Sequence, residues 1–358
     1  MASPQDLAAE LAANAKKLVA PGKGILAADE STKTVKNRFD NVGIENTEQN
    51  RAAYRSMLFS TEGLGEYISG AILYEETLFQ KAPSGKLMVD LLKEQGILPG
   101  IKVDIGLVPL PNSNGEVSTQ GLDGLAERCK KYYEAGARFA KWRAVLSIDQ
   151  AKNKPSPLSV AETSHTLARY AAICQSNGLV PIVEPEILAD GDHSIGTCAE
   201  ISEKVLASVF KALNDHHVLL EGALLKPHMI TKGFSCPDEQ TADQVAFYTS
   251  RTLRRTVPPA LAGIVFLSGG QSEADATIHL NEINRANEHP WALSFSYGRA
   301  LQASCLKTWN GKPENAKDAQ AVLLKLAKDN SLASTGSLKH HDTGSSSSKS
   351  LFEANYVY

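Results

Sequence analysis

One lysine stands in a setting that suits covalent chemistry on a carbonyl group. Lys226 closes the apolar run 223–225 and is followed by Pro227. Burial disfavours the charged form of an ammonium group, so a lysine enclosed by apolar residues is biased toward the neutral amine, which attacks carbonyl carbon. The alternative is a lysine that extends its charged end into solvent from the end of a strand. The run by itself is compatible with both.

Other charged residues supply what an amine needs to form an imine. The reaction requires a group that protonates the departing hydroxyl and a nearby cation that favours the neutral amine. Glu184 and Glu186 can share the acid and base steps, and Lys141 provides a second cation. Because side chains alternate between the two faces of a strand, residues two apart, such as these carboxylates, point to the same face. Pro185 nevertheless predicts that the chain turns between them, which would leave one carboxylate to hold a lysine in place.

Asp29 is a further candidate base. It stands alone after the apolar run 24–28, where it can accept a proton from a substrate hydroxyl. Aspartate is also a preferred residue immediately before a helix, because its carboxylate accepts hydrogen bonds from the first helical amides. The sequence leaves both the catalytic and the capping interpretation open.

Two groups of residues are suited to binding anions. Glycine turns with free backbone amides and an arginine are typical of the phosphate sites that follow the last two strands of a barrel. The first group comprises Ser268, Gly269, Ser296, Gly298 and Arg299. A second group on other segments comprises Ser31, Thr34, Arg38, Lys102 and Arg143. Two anion sites across one opening predict a substrate with two phosphate groups.

The elements that position these residues are eight short apolar runs that alternate with helical patterns. The runs cover residues 24–28, 69–74, 100–104, 139–143, 179–183, 223–225, 263–267 and 291–295. Parallel pairing requires a crossover long enough to carry a helix, so this alternation predicts an α/β protein with a closed (β/α)8 barrel, the TIM barrel. Barrel active sites lie at the carboxyl ends of the strands, where the candidate residues fall. No G-x-G-x-x-G motif follows the first strand, which disfavours a dinucleotide-binding fold.

Composition narrows the remaining function classes. A formal net charge of −3 provides no general attraction to nucleic acid or to anionic membranes. The five cysteines are widely spaced, which is typical of reduced thiols in the cytoplasm. No segment resembles a signal peptide or a membrane span. No histidine at a strand end fits a zinc-ligand pattern, so we expect neither a metal nor a cofactor.

The chain divides into a barrel domain over residues 1–330 and a flexible tail over residues 331–358. The tail is rich in glycine and serine, lacks periodicity, and ends in aromatic residues that include Tyr358. About 20 flexible residues have a root-mean-square reach of roughly 25 Å, which would bring Tyr358 over the mouth of the barrel. A disordered terminus without a function is the alternative.

Nine sequence motifs together resemble the class I fructose-1,6-bisphosphate aldolases of the eukaryotic type. They are GKGILAADES, GIKVD, NGE with TQGLDGL, FAKWR, VPIVEPEI, DHH with LEGALLKP, RRTVPPA, FLSGGQS and SYGRALQAS. The resemblance runs from about residue 4 to the final tyrosine. It implies a homotetrameric barrel enzyme of glycolysis and gluconeogenesis that acts on sugar phosphates without a metal. The resemblance leaves open whether cytoskeletal partners also bind.

The resemblance also implies roles for individual residues. Lys226 would form the imine with the C2 carbonyl of fructose 1,6-bisphosphate, and Glu184 would be its acid and base. Lys141 and Glu186 would tune the lysine, and Asp29 would handle the proton of the C4 hydroxyl. Tyr358 would assist proton transfer at C3 of the enamine. The C1 phosphate would be held by Ser268, Gly269, Gly298 and Arg299.

Four positions depart from the family pattern. Lys33 replaces a usual glycine, Asn37 a basic residue, Ile105 a lysine, and His228 an asparagine. The first two affect the expected C6-phosphate side, where one cation is lost and another is gained about one helical turn away. A barrel scaffold without chemistry and a metal-dependent aldolase remain the rival hypotheses. The scaffold hypothesis would require the loss of a catalytic residue, and no such residue is lost. The metal-dependent hypothesis would require a set of metal ligands, and the sequence contains none.

Overall fold

Eight parallel strands close into a barrel in the computed structural model, which describes residues 4–286, 288–339 and 347–354. The barrel strands are β1 Gly24–Ala28, β2 Ile68–Leu73, β3 Leu98–Lys102, β6 Phe139–Leu146, β7 Val180–Ile187, β8 Leu224–Leu225, β9 Gly263–Phe266 and β10 Ala292–Tyr297. Each strand pairs with its neighbours in this order, and β10 closes the barrel against β1 with Ile25 opposite Ser296. A separate antiparallel pair consists of β4 Leu107–Pro109 and β5 Val117–Thr119. The predicted (β/α)8 barrel is confirmed.

Twelve α-helices occur in the described part of the chain, and they connect or flank the strands. They are α1 Pro4–Leu18, α2 Thr32–Asp40, α3 Glu48–Phe59, α4 Glu75–Phe79, α5 Met88–Glu94, α6 Leu125–Glu134, α7 Pro157–Ser176, α8 Ile195–Asp215, α9 Ala242–Thr256, α10 Glu273–Ala286, α11 Arg299–Trp309 and α12 Ala316–Ala333. Short 3₁₀ helices cover Leu64–Glu66, Gln150–Lys152, Leu220–Gly222 and Pro313–Asn315. Among the described residues, no helix combines the length and apolar composition that crossing a lipid bilayer requires.

Two apolar layers hold the barrel together. The inner layer contains side chains from alternate strand positions, such as Ile72, Ile182 and Val265, and α1 adds Leu11 and Leu18 to it. The outer layer lies between the strands and the surrounding helices. Both faces of each strand are therefore buried, which explains why the strand sequences are continuously apolar rather than alternating.

One tyrosine shows how a surrounding helix is attached to the barrel. Tyr170 on α7 is fully buried, and its hydroxyl lies 2.8 Å from the carbonyl oxygen of Ala140 on β6 and 3.1 Å from that of Ile182 on β7. Its ring packs against Trp142 at 5.4 Å between centroids. These contacts fix the two strands that carry Lys141, Glu184 and Glu186.

The predicted turn at Pro185 is wrong, because β7 continues through it to Ile187. The amide of Lys226 donates to the carbonyl of Val183, and the amide of Leu188 donates to Leu146. The backbone N–H and C=O groups of odd-numbered residues in β7 therefore point toward β8, and those of even-numbered residues point toward β6. The backbone of Pro185 points toward β8, but β8 has already ended at Leu225. The N–H that proline lacks would therefore have had no partner in the strand ladder.

The last helix continues past residue 330, where the change in composition had predicted the tail to begin. It ends at Ala333, and the hydroxyl of Ser331 donates to the carbonyl of Gly22 at 2.6 Å. Leu338 is buried, and its amide donates to Asn281. The polar residues here find hydrogen-bond partners on the barrel, so a polar composition did not end the packed structure. Tyr358 and the rest of segments 340–346 and 355–358 lie outside the described residues.

Candidate active site

A cleft at the carboxyl edge of the barrel brings together eight of the predicted site residues. Its lining consists of Glu184, Glu186, Lys226, Leu267, Ser268, Gly269, Ser296, Gly298 and Arg299. These residues come from the ends of four neighbouring strands, β7 to β10, and from the loops that follow. Parallel strands end at one edge of a barrel, which is why residues more than 100 positions apart meet here.

Glu184 lies between two lysines at the centre of the site. Its Oε1 is 3.2 Å from Nζ of Lys226, and its Oε2 is 3.5 Å from Nζ of Lys141. Lys141 also lies 2.7 Å from Oδ2 of Asp29. All four side chains are at most 2 % exposed. The barrel interior thus holds two lysines and two carboxylates as one charge-balanced cluster.

The burial of this cluster decides two alternatives that the sequence left open. Lys226 is 1 % exposed, so it does not extend into solvent. Asp29 does not cap α2, because the hydroxyl of Ser31 accepts the hydrogen bond from the amide of Thr34. Burial acts to raise the pKa of Asp29, but the surrounding ammonium groups, Lys141 first among them, hold that pKa below its ordinary value.

A second layer of ion pairs adjoins the central cluster. Nε of Arg143 is 2.5 Å from Oε2 of Glu186. Burial tends to raise the pKa of Glu186, but the guanidinium of Arg143, together with the charges of Arg299 and Lys226, lowers that pKa below its ordinary value. Lys102 pairs with Asp104 at 2.5 Å, and Asp104 also accepts a hydrogen bond from the backbone amide of Arg143 at 3.3 Å. Glu186 is therefore held by a residue of the adjacent strand, and Lys102 by a residue just beyond the end of its own strand.

The loops after β9 and β10 provide the features of an anion site. Gly269 and Gly270 have φ angles of +57° and +81°, a left-handed conformation that favours glycine. Gly298 precedes α11, whose first amides have no side-chain cap, and Arg299 is the first residue of that helix. The amino end of a helix attracts anions through its unpaired amides and its dipole. Among the described residues, the buried hydroxyl of Ser296 has no hydrogen-bond partner, so it is available to a ligand.

Arg38 does not join Lys102 and Arg143 as the sequence grouping predicted. It is paired with Glu30, and its NH2 lies 3.7 Å from the position that a Cβ on Gly298 would take. It lines a recess together with Arg299 and Gln302. The sequence grouped Arg38 with Lys102 and Arg143 because all three are cationic. The direction of α2 instead brings Arg38 toward the end of β10. Ser31 and Thr34 remain at the start of α2, where their hydroxyls lie 3.0 Å apart.

Three residues of the site were missed by sequence reasoning. Glu30 is buried and accepts from Arg38 and from Nε2 of Gln302, at 3.1 Å in the second case. Gln302 also donates to the carbonyl of Ala27 at the end of β1. Asp104 holds Lys102. The available signal for Glu30 and Asp104 was a carboxylate at or just beyond a strand end, the same signal that identified Asp29.

The segment 347–354 lies against the proposed anion loops. The amide of Leu351 donates to the carbonyl of Gly270 at 3.0 Å, and NH1 of Arg299 donates to the carbonyl of Leu351. The ring of Phe352 stacks on that of Phe234 with 4.0 Å between centroids. The segment 347–354 therefore lies at the mouth of the barrel close to Arg299.

The four departures from the family pattern lie at different depths. Lys33 and Asn37 are exposed on α2, and Ile105 is 59 % exposed beyond the end of β3. His228 is buried two residues after Lys226. Its Nδ1 accepts from the amide of Ile187, and its Nε2 lies 3.0 Å from the hydroxyl of Ser202. Only this fourth departure is packed behind the site.

The site defines a barrel enzyme equipped for amine and carboxylate chemistry on a phosphorylated carbonyl compound. The family model "Fructose-bisphosphate aldolase class-I", of the glycolytic group, matches residues 10–358. Fructose-bisphosphate aldolase 1 of Toxoplasma gondii is 67 % identical over 99 % of this chain and 98 % of its own. Cytosolic fructose-bisphosphate aldolase 4 of Arabidopsis thaliana is 58 % identical over 98 % of this chain and 89 % of its own.

A solved structure extends the likeness to three dimensions. It is the fructose-bisphosphate aldolase of Plasmodium falciparum in complex with TRAP and a small-molecule inhibitor. It superposes with a TM-score of 0.93 at 65 % identity and covers 94 % of this chain and 97 % of its own. The chain belongs to the class I fructose-bisphosphate aldolase family. It catalyses the reversible aldol cleavage of fructose 1,6-bisphosphate to dihydroxyacetone phosphate and glyceraldehyde 3-phosphate, a reaction of glycolysis.

Proposed function

We propose that Lys226 performs this cleavage by forming an imine with C2 of the substrate and that Glu184 is the acid and base of that step. The observation that carries the proposal is the position of Glu184, within 3.2 Å of Lys226 and 3.5 Å of Lys141. A carboxyl group in contact with the nucleophilic nitrogen can take the proton of the ammonium and return it to the departing hydroxyl.

Charge balance favours this division of labour. With both lysines and both carboxylates charged, the buried cluster of Lys226, Lys141, Asp29 and Glu184 has no net charge. Moving one proton from Lys226 to Glu184 keeps the sum at zero and removes two buried charges. The same transfer produces the neutral amine that attacks C2 and the carboxylic acid that later protonates the hydroxyl of the carbinolamine. Lys141 retains its proton and stabilises the carboxylate of Asp29, which stays ionised.

Asp29 is the proposed base for cleavage of the C3–C4 bond. It accepts the proton of the C4 hydroxyl, the electrons of the C3–C4 bond move toward the iminium nitrogen, and glyceraldehyde 3-phosphate leaves. The lowered pKa of Asp29 keeps it ionised and ready to accept that proton. Protonation of the remaining enamine at C3, assisted by Tyr358 in this proposal, and hydrolysis of the imine release dihydroxyacetone phosphate.

The two phosphates of the substrate are assigned to opposite sides of the cleft. Ser268, Gly269, Ser296, Gly298 and Arg299 bind the C1 phosphate, and Arg38 belongs to this side because it lies next to Gly298. Lys102 and Arg143, with the hydroxyls of Ser31 and Thr34, are the candidates for the C6 phosphate. Arg299 can serve both the phosphate and the segment 347–354, since a guanidinium has five N–H donors.

We further propose that the enzyme works as a cytoplasmic homotetramer in glycolysis and gluconeogenesis. The cytosolic Arabidopsis relative supports the compartment. The tetramer is the assembly that the resemblance to the aldolase family implies. Light scattering on a sizing column tests the assembly, and a monomer of 38.5 kDa would contradict it.

Borohydride trapping tests the central step. Incubation with dihydroxyacetone phosphate and borohydride should attach the substrate irreversibly to Lys226, because borohydride reduces the imine, and mass spectrometry should locate the adduct. Lys226→Arg should abolish trapping, since a guanidinium stays protonated. Lys232→Arg is the matched control, because Lys232 lies on the same loop but donates to the carbonyl of Cys236. An adduct on Lys141 would reverse the assignment of the two lysines.

A further inference from the structure

Two histidines from neighbouring helices meet on the outer surface of the barrel. His165 lies on the exposed side of α7, and His216 follows the last residue of α8. Nδ1 of His165 is 3.2 Å from Nε2 of His216. The ring centroids are 4.9 Å apart and the ring planes cross at 64°. Helices of a (β/α)8 barrel run opposite to the strands, so the end of α8 lies toward the edge opposite the cleft.

The separation of the two nitrogens matches that of two ligands on one metal ion. Zn²⁺ binds histidine nitrogen at about 2.0–2.1 Å, which places two nitrogens of a tetrahedral site about 3.3 Å apart. Adjacent positions of an octahedral ion with similar bond lengths are about 2.9 Å apart. The observed 3.2 Å falls between the two values, so a metal can bind both nitrogens without moving the helices, once the rings rotate to direct both lone pairs at it.

The two helices hold this geometry independently of the histidines. The hydroxyl of Ser164, next to His165, lies 2.9 Å from that of Ser208 on α8. The backbone amide of His216 donates to the carbonyl of Ala212. His217 then adopts a left-handed conformation with φ of +56°, which turns the chain back toward the barrel. Both imidazoles are therefore positioned by packed backbone rather than by a mobile loop.

We propose that His165 and His216 form a binding site for a borderline divalent transition metal such as Ni²⁺ or Zn²⁺, separate from the aldol site. In the absence of metal one ring donates an N–H to the other across this contact. For a metal to take both facing nitrogens, the donor ring changes tautomer and carries its proton on its outer nitrogen, so the neutral pair keeps both of its protons. Imidazole suits Zn²⁺, Cu²⁺ and Ni²⁺, whereas Mg²⁺ prefers oxygen ligands. Within the described part of the chain, no group of three or more histidine, cysteine or acidic side chains could hold a metal ion. The pair therefore provides two ligands, and water completes the coordination.

The nearby carboxylate does not add a third ligand in this arrangement. Asp215 precedes His216, but its Oδ2 is 2.6 Å from Nζ of Lys211. Both of those side chains are more than half exposed, so this ion pair is weak and screened. A two-histidine site with solvent access implies reversible binding, not a permanently bound structural ion.

The test is calorimetric titration of the full chain with Ni²⁺ at pH 7.5, after removal of metals by a chelator. The wild type should bind one Ni²⁺ saturably through this pair, and Mg²⁺ should not compete. His165→Asn and His216→Asn should each weaken Ni²⁺ binding at least tenfold, since each removes half of the protein ligands. His217→Asn is the matched control, because asparagine accepts the left-handed conformation and His217 is not part of the pair. Binding should also weaken at pH 5.5, where protons compete for imidazole.

Two outcomes would overturn the proposal. One is the absence of saturable Ni²⁺ binding to the wild type. The other is an affinity that stays the same in the wild type, His165→Asn and His216→Asn, which would place the metal elsewhere. Unchanged aldol cleavage by both variants verifies that they are folded, because neither residue belongs to the cleft.

Discussion

The central lysine cluster and the mouth of the barrel are built in different ways. Lys141, Lys226, Asp29 and Glu184 are each at most 1 % exposed, and all lie on strands or directly at their ends. Arg299 is the first residue of a helix, its side chain is 13 % exposed, and it contacts the backbone of Leu351 and the side chain of Glu353. The strand ladder determines the geometry of the first region, whereas loops and the C-terminal segment determine that of the second.

The contrast separates two kinds of functional demand. The proposed proton transfer between Lys226 and Glu184 requires atoms held within hydrogen-bond distance in a medium that excludes water, and strands provide this. Phosphate binding requires donors that can be approached from solvent, and loops at the mouth provide that. Substitutions in the interior should therefore affect chemistry, and substitutions at the mouth should affect substrate affinity.

The sharpest test of the interior region is Glu184→Gln. We expect kcat to fall by roughly 10²- to 10⁴-fold, the usual contribution of a positioned acid or base, with little change in substrate affinity. Glu186→Gln is the matched control, since that carboxylate is paired with Arg143 rather than placed between the lysines. Steady-state kinetics of both variants measures the difference. Equal losses in kcat would remove the special position assigned to Glu184.

Removal of the terminal Tyr358 tests whether the C-terminal segment also contributes to chemistry. Carboxypeptidase treatment should slow bisphosphate turnover roughly 100-fold if the phenol assists proton transfer at C3. Borohydride trapping at Lys226 should persist, because imine formation uses Glu184. Unchanged turnover would reduce the tail to a terminus without a catalytic role, and loss of trapping would show that it supports the whole site.

Arg299→Ala should act mainly on binding. A charge-assisted hydrogen bond contributes roughly 1.5–3 kcal/mol, so KM for fructose 1,6-bisphosphate should rise roughly 10- to 150-fold. A substrate without the C1 phosphate should show a much smaller change. Measuring both substrates with one preparation provides the internal control. Equal effects on the two would indicate that Arg299 supports the fold around α11 instead of the phosphate.

The last test concerns stability in acid and leaves the catalytic steps untouched, because it depends on the burial of His228 behind the interior region. Burial lowers the pKa of His228 from its ordinary 6.5 to about 4. Between these values the unfolded chain binds the proton more readily, so the stability contribution of neutral His228 is present above pH 6.5 and is lost as the pH falls toward 4. The loss amounts to about 3 kcal/mol.

His228→Asn should therefore flatten the dependence of the unfolding free energy on pH over that window. Denaturant titrations at pH 7 and pH 4.5 measure it, with His217→Asn as the exposed control. A slope equal to that of the wild type would show that other groups cause the acid sensitivity.

Much of the fold was predictable, because parallel pairing leaves few arrangements for eight alternating strands and helices. The residues at which individual strands and helices end were harder to predict. Pro185 predicted a turn, yet the neighbouring strand β8 had already ended and the proline interrupted no hydrogen bond. Similarly, the polar residues after 330 continued α12, because Ser331 and its neighbours found partners on the barrel. Both errors arose from contacts with segments distant in sequence.

The sequence by itself determined which residues are candidates for the catalytic steps. Charged residues at the ends of apolar strands identified Lys226, Lys141, Glu184 and Asp29, since buried charge at such positions is unfavourable unless it is used or paired. Tertiary structure alone decided how they are connected. The placement of Glu184 between two lysines, the pairing of Asp29 with Lys141 and the location of Arg38 beside Gly298 depend on strand register and on the direction of α2. Those quantities arise from pairing and packing across the whole barrel, which local sequence patterns do not encode.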